Sequence, residues 1–290
     1  MKNKRKVNST GVGLGLHARR ILAYVVLIIV SFFCLFWFYV LFVNATRSNS
    51  NLQSGFSVLP SSNLLSNWKH LLEKSGLPVI QGMLNSLIIS TCSAVVCVYF
   101  STMTAYAIHV YDFKLKKFIY PFILAVMMIP TQVTALGFVN LVSDMNLEDS
   151  FIPLIIPQIA VPITFFYMTQ YMESSLPLSL VEAARIDGSG EFRTFNHIVL
   201  PLMKPAIAVQ AIFTFVSSWN NYFIPALILH DDSKKTLPIL IAQLRAADWL
   251  KFDMGQVYVM IAFSIFPVII VYLILSKHIV QGVALGSVKG

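Results

Sequence analysis

EAARIDGSGEFRTFNHIVLPLMKP, residues 182–205, is a polar stretch set between long apolar runs. It has the marks of built structure. Ser179 precedes Leu180, and Glu182 follows three residues on. That spacing is a capping box, which predicts a helix over 180–186. Gly188 stands where a left-handed C-terminal cap is wanted. A second helix from about Gly190 would place Phe192, Phe195, Ile198 and Val199 along one face. Pro201 would end it by holding Leu200 extended. The first helix is short, and isolated helices of that length are marginal in water, so it needs a surface to lie on. Ala183 and Ala184 are small enough for a groove to close over the backbone. Two readings stand at this point. Either a partner docks on the stretch, or it packs under its own bundle with Glu182 serving only as a cap.

The rest of the chain says what lies on either side. Of 290 residues 57% are hydrophobic and only 12% are charged, against about 25% charged in ordinary soluble domains. Most of the surface must therefore face lipid. The formal charge is +8, but Lys and Arg collect at the edges of apolar runs and no basic patch is interleaved with aromatics, so nucleic acid is not the expected partner. Cys34, Cys92 and Cys97 all lie in apolar runs and read as small buried hydrophobes, with neither a disulfide framework nor a metal site.

A bilayer core takes about 20 apolar residues per helix. Six segments qualify: residues 21–43, 83–107, 118–139 (interrupted by Pro130), 152–171 (with Pro153, Pro157 and Pro162), 206–229 and 257–275. The first lacks a small-residue cleavage site and is longer than a signal-peptide core, so it is expected to stay as an anchor. The fold class expected is an all-α polytopic membrane protein of six transmembrane helices. Its divisions would be a tail over 1–20, a first helix over 21–43, an external segment over 44–82 with a short amphipathic helix near 66–73, a five-helix core over 83–277 and a tail over 278–290. The core includes the polar loop 174–205. Residues 230–252 form a second external segment.

Charge sets the orientation. With the N-terminus inside, the inner segments hold fourteen of the 21 Lys and Arg and the outer segments seven. That bias predicts both termini and the loop 174–205 in the cytoplasm.

What the spans lack is informative. None contains Asp, Glu, Lys or Arg, whereas secondary carriers and pumps commonly carry such groups as ion relays. His109, at the edge of the second span, reads as structural. The chain has no G-x-x-x-x-G-K-[ST], H-E-x-x-H or G-x-S-x-G, so energy for any transport must come from elsewhere. Uncharged polar groups are plentiful, among them Thr131, Gln132, Gln210, Thr214, Ser217, Ser218, Asn220 and Asn221. They either knit helices together or line a wet path for a polar, uncharged solute. Trp219 beside Asn220 and Asn221 offers a ring and amides, as a sugar would need, though Trp and Tyr also belong to interfacial belts.

Glu182, Ala183, Ala184, Asp187, Gly188, Ile198, Leu200 and Pro201 together resemble the EAA loop of binding-protein-dependent ABC importer permeases. Asn85-Ser86-Leu87, Ala105-Tyr106-Ala107, Met127 to Pro130, Phe213 to Phe215 and Ser218 to Asn220 are similar to that family's pattern too, and residues 281–290 resemble the ending of its maltose-type carbohydrate-uptake branch. Gly190 departs from it, standing where the family usually has a larger residue, and the first span and external segment match loosely. The resemblance implies a type I ABC importer permease fold, and a role as one of two related permease subunits in the inner membrane of a bacterium. The partners implied are a second permease, a dimeric ATP-binding subunit that holds ATP and Mg, and an external sugar-binding protein. Glu182, Ala183, Ala184, Arg185, Asp187 and Gly188 would couple to the ATPase, with Lys289 and Gly290 reaching its surface. No cofactor is expected on this chain, nor any catalytic residue. A membrane scaffold or channel that binds partners without ATP coupling is the alternative, with a secondary carrier behind it.

Overall fold

The structure is a computed structural model that describes the backbone of residues 10–246 and 253–286, with side chains over 17–246 and 253–277. The described residues are helical, without strands. The helices are α1 (Thr10–Ala45), α2 (Asn49–Gln53), α3 (Leu64–Glu73), α4 (Val79–Val110), α5 (Lys116–Val126), α6 (Thr131–Asp144), α7 (Ile152–Ile155), α8 (Pro162–Ser175), α9 (Leu178–Ile186), α10 (Glu191–Thr194), α11 (Leu200–Leu202), α12 (Lys204–Trp219), α13 (Phe223–Ile228), α14 (Leu237–Arg245) and α15 (Met254–Gly286). A 3₁₀ turn, Ile156–Ala160, joins α7 to α8, and a π turn, Phe195–Val199, joins α10 to α11. Four helical stretches are long and apolar enough to cross a membrane, and two bent pairs bring the number to six if each counts as one span.

Among the described residues, those up to His70 together with Asp253–Ala262 form one compact unit and the others a second. In the first, α1 exposes two thirds of Ile28, Leu35 and Trp37, the state of an apolar helix that meets lipid. Beyond its end lies a polar knot. Asn67, 4% exposed, donates to the Ala45 and Arg47 carbonyls at 3.0 and 2.8 Å. Arg47, one of the cations counted to the outer segments, is itself buried and donates to the carbonyls of Asn51 and Gly55. Burial of a cation is tolerable when every donor finds an acceptor.

In the second unit α4 packs against α8 and α12. One core joins Val98, Ala105, Tyr106 and Ile108 of α4 to Phe165, Met168 and Met172 of α8, to Val181 of α9, and to Phe195, Val199 and Met203 below. A second gathers Ile89, Val142, Leu154, Ile228, Leu229 and Ile239 at the other end. The start of α4 is tied down by polar groups: Asn85 donates to the Ser233 and Lys235 carbonyls at 2.9 and 3.0 Å, and Ser86 Oγ accepts from Leu237 N–H at 2.8 Å. These bonds seat α14, which the polar residues around it had hidden in the sequence. Cys97 alone of the three cysteines is buried; Cys34 and Cys92 sit on exposed helix faces, because the apolar runs that hold them turn those faces outward.

Three of the expected spans are broken. The third bends by 97° between α5 and α6, at the Pro130 interruption, where proline extends the backbone (ψ 133°) before α6 starts. The fourth passes through its 3₁₀ turn and an extended Val161 before Pro162 starts α8. The fifth stops at Asn220 and resumes at Phe223.

Candidate functional site

Two regions carry most of the residues singled out by the sequence: the polar loop between α8 and α12, and a cleft lined by the 3₁₀ turn, α8 and α12.

The loop is more ordered than its composition suggests, and its start differs from the capping box. Helix α9 begins at Leu178 with Pro177 as its N-cap, and no side chain caps it. Proline supplies the fixed φ (−64°) and extends the residue before it, Leu176 (φ −113°, ψ 96°). That leaves Ser179 inside the first turn, too late to act as a cap. Glu182 is thereby released from the capping role; it is exposed, as is Ala183, while Val181 and Ala184 are buried on the opposite face. His109 Nε2 donates to the Leu176 carbonyl at 3.0 Å and so pins the residue from which the loop departs. The helix ends as expected. Gly188 has φ +76°, Gly188 N–H reaches the Arg185 carbonyl at 3.0 Å and Ser189 N–H the Ala184 carbonyl at 2.9 Å. This is a Schellman motif. Arg185 and Asp187 lie exposed on either side of the turn's entry, and Ile186 is 86% exposed.

Pro201 does not end the second helix. Leu200 is helical (φ −56°, ψ −43°) and Pro201 sits in the first turn of α11. The π turn explains it. Leu200 N–H reaches back five residues to the Phe195 carbonyl, and the extra residue in the turn opens the space a proline ring would otherwise invade. The same extra residue rotates the faces. Phe195 and Val199 are buried, with Tyr99 and Tyr106 rings 5.7 and 5.6 Å from Phe195, whereas Phe192 is 72% exposed. The turn that ends the loop is Met203, after which α12 leaves at 80° with Pro205 in its first turn.

Glu191 organises this region, a residue that no sequence pattern singles out. Its Oε1 accepts from Arg185 Nε at 2.6 Å, and its Oε2 from the Tyr111 and Tyr106 hydroxyls at 2.6 and 3.0 Å. The Arg185 guanidinium also lies 5.6 Å over the Tyr111 ring. These donors, Arg185 first and then Tyr111, lower the Glu191 carboxyl to about 2. Tyr111 is raised, by burial first and then by its bond to Glu191, and Arg185 is raised by Glu191. The only hint in the sequence was an acid at the start of a helix; its tyrosine partners lie eighty residues or more away.

The second region is a cleft of about 500 Å³ lined by Gln158, Val161, Ile163, Thr164, Tyr167, Val209, Gln210, Phe213, Thr214 and Ser217. A smaller one of about 50 Å³ shares Gln158 and Ser217 with it and adds Ser86, Ser218 and Asn221. Two of the span breaks, the 3₁₀ turn with Gln158 and the Asn220–Tyr222 gap with Asn221, thus open onto the smaller cleft. Irregular backbone at membrane depth is tolerable where it lines such a space. Thr214 donates to Cys97 Sγ at 3.6 Å, and Cys97 to Thr164 at 3.4 Å, so these three groups knit α4, α8 and α12, and the two threonines also border the larger cleft.

The expected path residues divide accordingly. Thr214, Ser218 and Asn221 come together at the clefts. Asn220 is exposed and turns its amide to the Val216 carbonyl at 2.9 Å. Trp219 is only 3% exposed, stacked on Phe215 at 5.8 Å. The rings that do face the cleft are Tyr167 and Phe213, 50% and 66% exposed. Thr131 and Gln132 stand apart, exposed in the first turn of α6. Lys289 and Gly290 lie outside the described residues.

Residues 98–285 match the family described as "Binding-protein-dependent transport system inner membrane component". The chain is 37% identical over 209 residues to the arabinooligosaccharides transport system permease protein AraQ of Bacillus subtilis (strain 168), covering 71% of this chain and 72% of that protein. It is 30% identical over 267 residues to the sn-glycerol-3-phosphate transport system permease protein UgpE of Yersinia pestis bv. Antiqua (strain Antiqua), covering 90% and 95%. Its fold is similar, with a TM-score of 0.74 at 22% identity over 94% of this chain and 99% of the other, to a chain from the crystal structure of a bacterial ABC transporter involved in the import of the acidic polysaccharide alginate. The chain belongs to the binding-protein-dependent transport system inner membrane components: it is a multi-pass inner-membrane permease with the type I ABC importer fold.

Proposed function

We propose that this chain is one of two related permease subunits of a bacterial importer for a di- or oligosaccharide, driven by ATP hydrolysis in a separate subunit. The observation that carries the reading is α9. It is held rigidly from behind by Val181, Ala184 and the Schellman turn, yet it presents Glu182, Ala183 and Ile186 to the outside. A short helix fixed on one face and bare on the other is the geometry of a docking element, and its polar setting matches the cytoplasmic side that the charge bias predicts. ATP and Mg would be held by the partner, since the chain has no phosphate-cradling loop. The cleft supports the sugar. All ten lining residues of the larger one are uncharged, with amides and hydroxyls beside the Tyr167 and Phe213 rings, a surface for hydrogen-bonding hydroxyls while a ring stacks on an apolar face. An external sugar-binding protein would deliver the substrate, and closure of the ATPase dimer would draw the loops together and turn the cleft outward.

The test is co-purification followed by uptake. The chain should bring down an ATP-binding subunit, and ATP should drive uptake of one of a panel of labelled oligosaccharides in proteoliposomes. Gly188→Val should lose both while still inserting in the membrane, because a β-branched residue at φ +76° costs about 1–2 kcal/mol and unmakes the turn. A partner that remains after deletion of residues 182–188 would favour a scaffold or channel instead; uptake that ignores ATP would favour a secondary carrier.

A further inference from the structure

The loop that would receive force and the helix that borders the smaller cleft are joined at one carboxylate. We propose that Glu191 is a positioning residue for energy coupling, which locks α9 to the end of α4 so that displacement of the loop is passed along α4 to the cleft. The inference rests on the importer reading above and adds to it how the loop's motion leaves the loop.

Both oxygens of Glu191 are occupied, and by different elements. Arg185 of α9 takes Oε1 at 2.6 Å, while Tyr111 and Tyr106 at the end of α4 share Oε2 at 2.6 and 3.0 Å. Charge-assisted bonds are the stronger class and fix geometry as well as energy. The Arg185 guanidinium over the Tyr111 ring closes the set into a ring of contacts. Behind it, Tyr106 is 4% exposed and packs on Phe195 of the π turn. A push on α9 therefore meets α4 through bonds of fixed direction rather than through sliding apolar contact alone.

Helix α4 is suited to carry that push. It runs unbroken through 32 residues, about 48 Å at 1.5 Å per residue. From Tyr106 to Ser86 is about 30 Å by the same rise. At that far end Ser86 borders the smaller cleft and holds the Leu237 amide, and Asn85 holds the Ser233 and Lys235 carbonyls. Helix α4 has no break between Val79 and Val110, whereas its packing partners α8 and α12 adjoin breaks at 156–161 and 220–222, so rotation at its inner end is delivered to its outer end.

The test uses the complete transporter in proteoliposomes, with three readouts: ATP-binding subunit retained, ATP hydrolysed and sugar taken up. Glu191→Ala should keep the subunit and keep hydrolysis within about twofold, while uptake per ATP hydrolysed falls about tenfold, the size of change that coupling networks carry. Tyr111→Phe, which keeps the ring over Arg185 and loses one bond, should give a smaller fall of about threefold, and Glu191→Asp should recover part of the ratio. An unchanged ratio in Glu191→Ala would overturn the proposal. So would a parallel loss of subunit, hydrolysis and uptake shared by Tyr111→Phe, since that pattern belongs to a residue that only folds the loop. Wild-type protein without ATP-driven uptake would sink the importer reading itself; a working wild type with unaltered variants would sink this inference alone.

Discussion

At the scale of single residues, the docking loop depends on two positions of opposite kind. Gly188 is there for its backbone: at φ +76° a Cβ added to it would meet nothing within 4 Å, so strain in the left-handed region, not crowding, restricts the site. Glu191 is there for its charge. Its carboxyl, lowered from 4.5 to about 2, gives stability that is fully present above the unfolded value and is lost as pH falls through the folded one. The window is thus pH 4.5 down to about 2. Because 44% of the Glu191 side chain and 39% of Arg185 remain exposed, solvent screening limits the effect to about 1 kcal/mol. Acid titration of the detergent-solubilised protein should show a step of loop exposure in that window, read by proteolysis at Arg185 or Arg193. Glu191→Gln should be flat there; an identical step in that variant would remove Glu191 as its cause.

At the scale of elements, packing decides which small residues matter. Gly82 on α4 faces Leu240 of α14 so closely that a Cβ would overlap the Leu240 Cδ1, and Leu240 is completely buried. Gly82→Ala should therefore destabilise by about 1–3 kcal/mol through overpacking, seen as a lowered midpoint of thermal unfolding in detergent. Gly137, inside α6, has nothing within 4 Å, and Ala there should raise the midpoint by the helix-propensity difference of about 1 kcal/mol. The same substitution with opposite signs separates contact from propensity; equal signs would contradict the α4–α14 packing. The π turn makes a related point. Pro201 reads in the sequence as a stop, and it becomes a stop only if the turn before it is an ordinary α turn.

At the scale of the whole molecule, the charge bias orders the two ends of the bundle. In a background lacking Cys34, Cys92 and Cys97, a cysteine replacing Ile186, which is 86% exposed, should react with an impermeant maleimide only after the membrane is opened. One replacing Ser233, exposed before α14, should react in intact cells. The reverse pattern would invert the orientation. The turns beside α7 and α13 are fastened to each other: Asp149 Oδ1 accepts from the His230 and Asp231 amides at 2.6 and 2.7 Å, joining the turn before α7 to the turn after α13.

How much of this was legible in the chain follows from the range of each interaction. The spans, the EAA resemblance and the Gly188 cap are local or compositional, and they were readable because an apolar run of the right length or a glycine at a helix end carries its meaning alone. The start of α9 was misplaced by two residues, since Ser179 and Pro177 both offer caps and only the path arriving from Leu176 selects between them. Trp219 looked like a path residue because a ring beside two amides names a chemistry but not a direction; stacking on Phe215 turned it inward, and Tyr167 and Phe213 took the cleft. The sequence by itself determined that this is a helical membrane permease with one built loop, because hydrophobicity and helix caps act over a few neighbouring residues. Which carboxylate ties that loop to the bundle, and which polar groups share a cleft, only the tertiary structure decided, because those contacts join residues 67 to 151 positions apart, where no local pattern can reach.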